Sequence, residues 1–496
     1  MSASPSSSSS AEDGGGGAGG GGGGEVEGPS SSRIRMRPNF NDVWPEPFVE
    51  ALALQVAIDA SRTLSRLSAA QAIFNVFQIL CGAQHDAIHW CALDRLCTHT
   101  PVQKWKPGPS LACLRQLLFQ VCSTWHAVSR SDLLWRNLAR RVWNVGNLAR
   151  DTWRDEYIYR HRTARNFRLS RSAYTTIHVV PTDISNNDSV SCCRLALSNH
   201  LLAAGFADGA VHLYRLSTGD HVFTFYPDQH RNRLGRFSSA VSGIILTDTR
   251  LVFASLDGDV HVAVVSGGMA MRRAHLGDVM NDGALIDFSG GDDRWWVGLY
   301  AGVPGHSFHI WNGVTEELVF VGGTLTDSEA VTGWHTLTET TDLIGRIRVT
   351  CHNTAVACTS LKVVVFDLQN QGVVLGEEEF RRGIIVGSFD SSNELALITD
   401  VRGSSSVRRV ANLEETSRFV VRGGRLGLGE VLGCVNGGCG LVLVGGVIRV
   451  WEIENGGEYL YRFRETIGVC SALIADERYV VAYSTDGTIH IWDYGA

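Results

Sequence analysis

The second half of the chain repeats one unit of strands and turns. In CRLALSNHLLAAGFADGAVHLYRLSTG, which begins at Cys193, an apolar strand, a polar turn, a small-residue strand, an Asp-Gly hairpin and a final strand follow one another. The segment SALIADERYVVAYSTDGTIHIWDYG, which begins at Ser471, has the same order. Repetition of a strand unit at a fixed period is the sequence signature of propellers and solenoids.

Asp-Gly dipeptides mark the hairpins of this unit. Glycine readily supplies the positive φ that a two-residue hairpin requires, so three of these turns are strong signals, at Asp208-Gly209, Asp257-Gly258 and Asp486-Gly487. Weaker copies of the unit lie near Gly305, Leu361, Gly403 and Gly445. Six intervals separate the first hairpin from the last, which gives a period of roughly 46 residues, close to the blade period of about 40–45 plus loop insertions.

Seven such units favour a closed ring. A solenoid would leave open sheet edges, whereas a ring leaves none. We therefore predict a mainly β fold, a seven-bladed WD-repeat-like β-propeller over residues 174–496. The last unit ends after its third strand, at residues 488–493, so its outer strand must come from elsewhere. The segment YTTIHVV at residues 174–180 is the predicted donor.

The first half of the chain has a different composition. Residues 1–38 are rich in Ser and Gly and lack the apolar side chains that could offset chain entropy, which predicts a disordered tail. Residues 39–160 have helical periodicity, with apolar residues three or four positions apart, and Ser131 and Asp132 form a helix-capping signal. Residues 161–173 are interpreted as an Arg-rich connector to the propeller.

Composition limits the classes of function. A formal net charge of −7 argues against wholesale wrapping by nucleic acid and against docking on an anionic membrane. No stretch reaches the roughly 18 uninterrupted apolar residues of a spanning helix, and the 12 scattered cysteines fit reduced thiols of an intracellular protein. Walker, H-E-x-x-H and G-x-S-x-G nucleophile motifs are absent, so we predict a non-catalytic protein without a cofactor.

Residues 121–143, VCSTWHAVSRSDLLWRNLARRVW, are similar to the second half of an F-box, in which a V-C-x-x-W helix precedes an L-W-x-x-L-x-x-R helix. Such a unit leaves apolar residues exposed until an adaptor covers them. The predicted adaptor-facing and supporting residues are Leu117, Val121, Cys122, Trp125, Leu134, Trp135 and Leu138. The alternative is that this stripe is ordinary helical core. The first half of the motif is faint at residues 44–54, and residues 62–109 are interpreted as an insertion.

An F-box-like segment before a propeller and behind a Ser/Gly-rich N-terminus, together with FNDVWPEPFVEALAL at residues 40–54, resembles the plant STERILE APETALA family. The resemblance implies a substrate receptor of a Skp–cullin–F-box ubiquitin ligase, bound to a Skp-type adaptor and a cullin. It further implies transcriptional repressors of the PEAPOD and KIX types as substrates, a nuclear and secondarily cytoplasmic location, and control of flower development and organ size. The alternative is a nuclear propeller scaffold or transcriptional regulator without a ligase role.

Two local clusters have competing interpretations. The first cluster contains Cys81, His85, His89, Cys91, Cys97 and His99. It could bind zinc, although ordinary helix positions are favoured over a metal site. The second could serve nuclear import or phosphate contacts, and its members are Arg160, Arg162, Arg165, Arg168 and Arg171. A solvated linker or ion pairs on the propeller rim explain the arginines more simply, and direct DNA binding is disfavoured.

Lysine is scarce in this chain. Of 44 basic residues only Lys104, Lys106 and Lys362 are lysines. A ligase receptor with few amines would escape modification by its own ubiquitin-charged partner. Codon usage that favours Arg, Gly and Ala is the simpler explanation. The residues of the propeller that bind substrate are not identified by the sequence, beyond an expectation of loops at one end of the ring.

Overall fold

The fold is known from a computed structural model. It describes residues 131–143, 148–179, 191–227, 236–265, 270–291, 294–323, 345–350, 353–381, 385–421, 431–454 and 456–496. The predicted disordered tail, the first part of the predicted helical region and the Cys/His cluster lie outside these residues. Within the described ranges, no helix combines the length and the hydropathy that crossing a bilayer requires.

Within the part of the chain that the structure describes, two helices precede the strands. Helix α1 spans Asp132–Trp143 and begins where Ser131 accepts a hydrogen bond from the backbone N–H of Leu134 (3.4 Å). Helix α2 spans Trp153–Arg168, and the Thr152 side chain caps it by accepting from the N–H of Asp155 (3.1 Å). Both caps satisfy N–H groups that a helix leaves free in its first turn.

The remaining described residues form seven four-stranded antiparallel sheets, the blades. Blade 1 contains β2 (Cys192–Leu197), β3 (Leu201–Phe206), β4 (Val211–Arg215) and β5 (His221–Phe225). Blade 2 contains β6 (Val241–Leu246), β7 (Arg250–Ser255), β8 (Val260–Val264) and β9 (Met271–His275). Blade 3 follows the helical turn α3 (Val279–Asp282) and contains β10 (Ala284–Gly291), β11 (Trp295–Ala301), β12 (Phe308–Asn312) and β13 (Leu318–Gly322).

The second half of the ring has the same order. Blade 4 contains β14 (Gly345–Val349), β15 (Thr354–Thr359), β16 (Lys362–Asp367) and β17 (Val373–Glu379). Blade 5 contains β18 (Val386–Ser391), β19 (Leu395–Asp400), β20 (Ser404–Arg409) and β21 (Glu415–Val420). Blade 6 contains β22 (Leu432–Asn436), β23 (Cys439–Val444), β24 (Val447–Glu452) and β25 (Glu458–Arg462). Blade 7 contains β26 (Cys470–Ala475), β27 (Tyr479–Ser484), β28 (Thr488–Asp493) and β1 (Ala173–His178).

These sheets form a closed ring, which confirms the predicted seven-bladed propeller. The first strand of each blade contacts the first strand of the next, and β26 of blade 7 contacts β2 of blade 1. Seven clusters of buried apolar side chains fill the seven interfaces between neighbouring blades. The second strands β3 and β27 are buried along their whole length, because alternate side chains of each strand enter the interfaces on the two sides of its blade.

The predicted hairpins all join the second and third strands of their blades. At the three Asp-Gly turns, Gly209, Gly258 and Gly487 have φ of +88°, +86° and +85°. The preceding carboxylate fixes each of the three turns by accepting a hydrogen bond from the N–H two residues on. The distances are 2.9 Å at Asp208, 3.3 Å at Asp257 and 2.9 Å at Asp486. We call the end of the ring that carries these turns the hairpin face. In an antiparallel meander the connections between blades reach the same face.

Strand β1 supplies the outer strand of blade 7. It runs antiparallel to β28 in a continuous register from Ala173 opposite Asp493 to His178 opposite Thr488. The Tyr174 hydroxyl also hydrogen-bonds to Nδ1 of His490 (2.8 Å), and its ring lies 5.3 Å from that of Trp492. Residues from before the first complete blade therefore close the ring.

The predicted boundary between the helical region and the connector is wrong. The sequence predicts that the helical region ends at residue 160 and that residues 161–173 form an Arg-rich connector, but helix α2 continues to Arg168. Its arginines do not break the helix because arginine is a good helix former, and Arg165 and Arg168 in the last turn interact favourably with the helix dipole.

Replacing Ile177 with Asp should destabilise the protein through the closing strand. Ile177 packs against the apolar cluster between blades 7 and 1, so the new carboxylate would be desolvated there. We expect the free energy of unfolding to fall by about 3 kcal/mol in a urea titration. The exposed Thr175→Asp on the same strand is the matched control. Equal stability of the two variants would contradict closure by β1.

Candidate functional site

The described part of the F-box-like segment is helix α1. Its predicted residues Leu134, Trp135 and Leu138 are buried, and the Trp135 ring packs against Tyr157 of α2 with centroids 5.2 Å apart. Leu133 is a large apolar residue that α1 exposes, with 59% of its surface accessible. These three buried positions therefore support the helix pair. Adaptor contact remains a prediction for them, as it does for Leu117, Val121, Cys122 and Trp125, which lie outside the described residues.

Helix α2 is attached to blades 6 and 7 on the face opposite the hairpins. Phe167 enters the apolar cluster between these blades, and its carbonyl accepts a hydrogen bond from the Tyr461 hydroxyl (2.5 Å). Asn166 donates to the carbonyl of Tyr494 (2.9 Å), just after the last strand. Apolar burial and buried hydrogen bonds act together here, so the helix is firmly docked.

The arginine tract contributes to this docking. Arg160 forms ion pairs with Glu156 (2.6 Å) of its own helix and with Glu477 of blade 7. Arg168 pairs with Glu452 of blade 6 (3.3 Å). Because carboxylates of the propeller partly neutralise Arg160 and Arg168, these two arginines attract a phosphate backbone less strongly. This arrangement favours the interpretation of ion pairs on the propeller rim over direct DNA binding.

A cavity of about 770 Å³ lies between α2 and the turns of blades 1, 6 and 7. Its wall carries carboxylates and guanidinium groups, and these belong to Glu156, Glu452, Glu454, Asp476, Glu477, Arg150, Arg160 and Arg478. Burial raises the pKa of Asp476 to about 6. Helix α2 forms one wall of the cavity, and turns of the ring form the other.

The first strands of four blades place a charged cluster in the centre of the ring. Its members are Arg194 of β2, Asp287 of β10, Arg346 and Arg348 of β14 and Asp390 of β18. We call these five residues the channel cluster. Three guanidinium groups face two carboxylates, so the cluster carries one net positive charge in a chain that is acidic overall.

Asp287 is the centre of the channel cluster. Its buried carboxylate accepts from the backbone N–H of Ile347 (2.7 Å) and pairs with Arg348 (3.1 Å) and Arg194 (3.3 Å). Arg348 also pairs with Asp390 (2.7 Å). Such a network is strong only when each charge keeps its partners, because the surrounding protein screens charges poorly.

Arg346 is the weakly paired member of the channel cluster. Its guanidinium lies 3.9 Å from Asp287, a carboxylate that Arg194 and Arg348 approach more closely. Burial, and then the neighbouring Arg194, lowers the pKa of Arg346 to about 9. As the second residue of β14, it lies towards the hairpin face. The arrangement can bind an anionic group, whose carboxylate or phosphate would contact Arg346 more closely than Asp287 does.

Sequence reasoning missed the channel cluster. The available signal was charged residues within apolar first strands, such as Asp287 in ALIDF and the arginines in GRIRV.

Three cysteine thiols, those of Cys192, Cys358 and Cys434, are buried. Burial raises the pKa of each thiol, so these cysteines are not in the reactive thiolate form.

Comparison with known proteins places the chain in a family. No family model matches it. Two solved structures are similar in outline: the WD40 domain of Neurospora crassa Pan2 (13% identity, 66% of this chain and 96% of that chain, TM-score 0.48) and the computationally designed protein Ika8 (15% identity, 62% and 97%, TM-score 0.40). The transcriptional regulator STERILE APETALA of Arabidopsis thaliana is 49% identical over 475 residues, 95% of this chain and 96% of that protein. The chain therefore belongs to the STERILE APETALA family.

Proposed function

We propose that the protein is the non-catalytic substrate-recognition subunit of a Skp–cullin–F-box ubiquitin ligase. In this proposal the F-box-like helices bind a Skp-type adaptor, which links the protein to a cullin. The propeller binds transcriptional repressors of the PEAPOD and KIX types in the nucleus, and their degradation regulates flower development and organ size. The relative's name, transcriptional regulator, supports a role in transcription that requires no catalytic site.

The attachment of the F-box-like helices to the propeller is the observation that carries the proposal. Trp135 of α1 packs on Tyr157 of α2, and α2 docks on blades 6 and 7 through Phe167. An adaptor bound to α1 would therefore keep a fixed position relative to the ring. Fixed geometry raises the effective concentration of substrate lysines near a ubiquitin-charged enzyme, so the receptor acts by proximity.

The adaptor contact can be tested on α1 without removing its core. Trp135→Ala is a poor probe because the loss of a buried Trp costs about 3–5 kcal/mol of folding stability. Leu133→Glu changes an exposed side chain, and Trp125→Ala changes the other motif tryptophan. We expect both variants to lose co-purification with a Skp-type adaptor, because each removes apolar contact area from the F-box-like surface.

The control for this experiment is Val314→Glu, an equally large change at a residue that is 74% exposed in blade 3. It should retain the adaptor. Absence of adaptor from the wild-type complex, or its full retention by both F-box-like variants, would contradict the ligase proposal. Either result would favour the second candidate, a propeller scaffold in a nuclear transcription complex, which the name of the relative also supports.

The channel cluster is our candidate for substrate contact. Arg346 combines a weak carboxylate partner, partial exposure and a position towards the hairpin face, whereas α2 occupies the opposite face. Adaptor and substrate would then bind to different ends of the ring. An acidic or phosphorylated segment of a repressor is the ligand that this charge selects.

Replacing Arg346 with Gln should weaken repressor binding without destabilising the propeller. Loss of this guanidinium removes a desolvated charge beside Arg194, so the melting temperature should be unchanged or higher. The Kd for a purified PEAPOD-type or KIX-type repressor should rise about tenfold or more. Arg409→Gln, at an exposed position on β20, is the control. An unchanged Kd for the Arg346 variant would exclude the channel cluster as the substrate contact.

A further inference from the structure

Three side chains with metal-binding atoms meet on the hairpin face of blade 3. Asp282 ends the helical turn α3, His306 lies in the turn between β11 and β12, and His309 lies on β12. One ligand atom from each lies within 4.8 Å of the other two. Oδ1 of Asp282 is 3.2 Å from Nδ1 of His306 and 3.9 Å from Nε2 of His309. The receptor function proposed above does not use them.

His309 occupies a repeated position whose environment differs in blade 3. Four blades have a histidine near the start of the third strand, namely His212, His261, His309 and His490. In blade 7 both ring nitrogens of His490 are hydrogen-bonded, Nε2 to the Ser484 hydroxyl (3.1 Å) and Nδ1 to the Tyr174 hydroxyl (2.8 Å). Blade 7 therefore shows what a satisfied histidine at this position looks like.

Blade 3 replaces the hydroxyl partner by an aromatic ring. The strand registers pair His309 with Gly298 and His490 with Ala482, which makes Tyr300 the counterpart of Ser484. The Tyr300 ring stacks on His309, with centroids 4.0 Å apart, and offers no hydrogen bond to its nitrogens. His309 is 1% exposed, and among the described residues neither ring nitrogen has a hydrogen-bond partner. A buried donor and acceptor without partners cost free energy that a ligand could recover.

Negative charge lies beside the two imidazoles. The Asp282 carboxylate contacts His306 and lies 3.9 Å from Nε2 of His309. The carboxylates of Asp257 and Asp259 act on the hydroxyl of Tyr300, whose ring stacks on His309. His306 is only partly exposed, so the cluster can be reached from one side.

We propose that Asp282, His306 and His309 bind a divalent transition-metal ion of the zinc type. Two imidazoles and one carboxylate form a common zinc donor set, with bonds of about 2.0–2.1 Å and ligand atoms about 3.3 Å apart in a tetrahedral site. The contact between Asp282 and His306 already has this length, and the distance from Asp282 to Nε2 of His309 exceeds it by about 0.6 Å.

A bound ion would connect two loops of the hairpin face. Asp282 belongs to the connection that precedes β10, and His306 belongs to the turn that precedes β12. Coordination would fix these loops relative to each other, and the open fourth position could accept a carboxylate or imidazole of a binding partner. The site does not depend on the ligase proposal.

The test measures zinc bound to the full-length protein. Chelator-treated protein is titrated with Zn²⁺, and bound metal is counted by mass spectrometry for the wild type, Asp282→Asn and His306→Gln. Both substitutions change partly exposed side chains, so the buried His309 and the fold are left in place. His200→Gln, at an exposed histidine between β2 and β3, is the control.

We expect the wild type and the control to bind about one molar equivalent of zinc more than either variant. Zinc should also raise the melting temperature of the wild type and the control, and the part of this rise that comes from the cluster should be lost in both variants. Cobalt gives a second readout, because a site of nitrogen and oxygen ligands lacks the intense thiolate absorption of a cysteine site. Equal zinc content in the wild type and both variants would overturn the proposal, even if zinc binds elsewhere in the chain.

Discussion

The pairing of β1 with β28 is the constraint on which the rest of the structure depends. The third strand of blade 7 would otherwise be an open edge, and the ring would be held at that point only by side-chain packing between blades 7 and 1. Because β1 comes from before the first blade, the two ends of the propeller are joined by backbone hydrogen bonds. Closure of this kind holds the seven blades together, so that all seven apolar interfaces stay packed.

The same closing region positions the helices. Four residues separate the last residue of helix α2 from the first residue of β1, and the helix docks against blades 6 and 7 through Phe167 and Arg168. The short connection and the docking of α2 together hold the F-box-like helix α1 on the face opposite the hairpins. Among the described residues, Arg346 of the channel cluster and the histidine cluster of blade 3 lie towards the hairpin face. The proposed receptor role would use this division between two faces, with the adaptor at one end of the ring and the substrate at the other.

Local chemistry explains what could be predicted from the sequence. Asp-Gly turns and period-two apolar strands act over a few residues, which is why the seven hairpins and the missing strand of blade 7 could be found. The channel cluster could not, because Arg194 and Asp287 are distant in sequence and meet only when the ring closes. Likewise, the His306 and His309 pair becomes a candidate metal site only through Asp282, which the preceding connection brings to it. The end of α2 was misplaced because an arginine tract indicates a linker and a helix equally well.

Hydrogen exchange across the closing region is the most direct test of closure by β1. We expect slow exchange for the hydrogen-bonded amides of α2 (Trp153–Arg168) and for those amides of β1 (Ala173–His178) that donate to β28, whereas the outward amides of this edge strand exchange faster than those of the central strand β27. Peptides from these segments can be followed in the intact protein by mass spectrometry. Rapid exchange of every amide in α2 and β1, while β27 and β28 stay protected, would contradict closure by β1, because the ring would then be stable without the strand and the helix that are proposed to close and orient it.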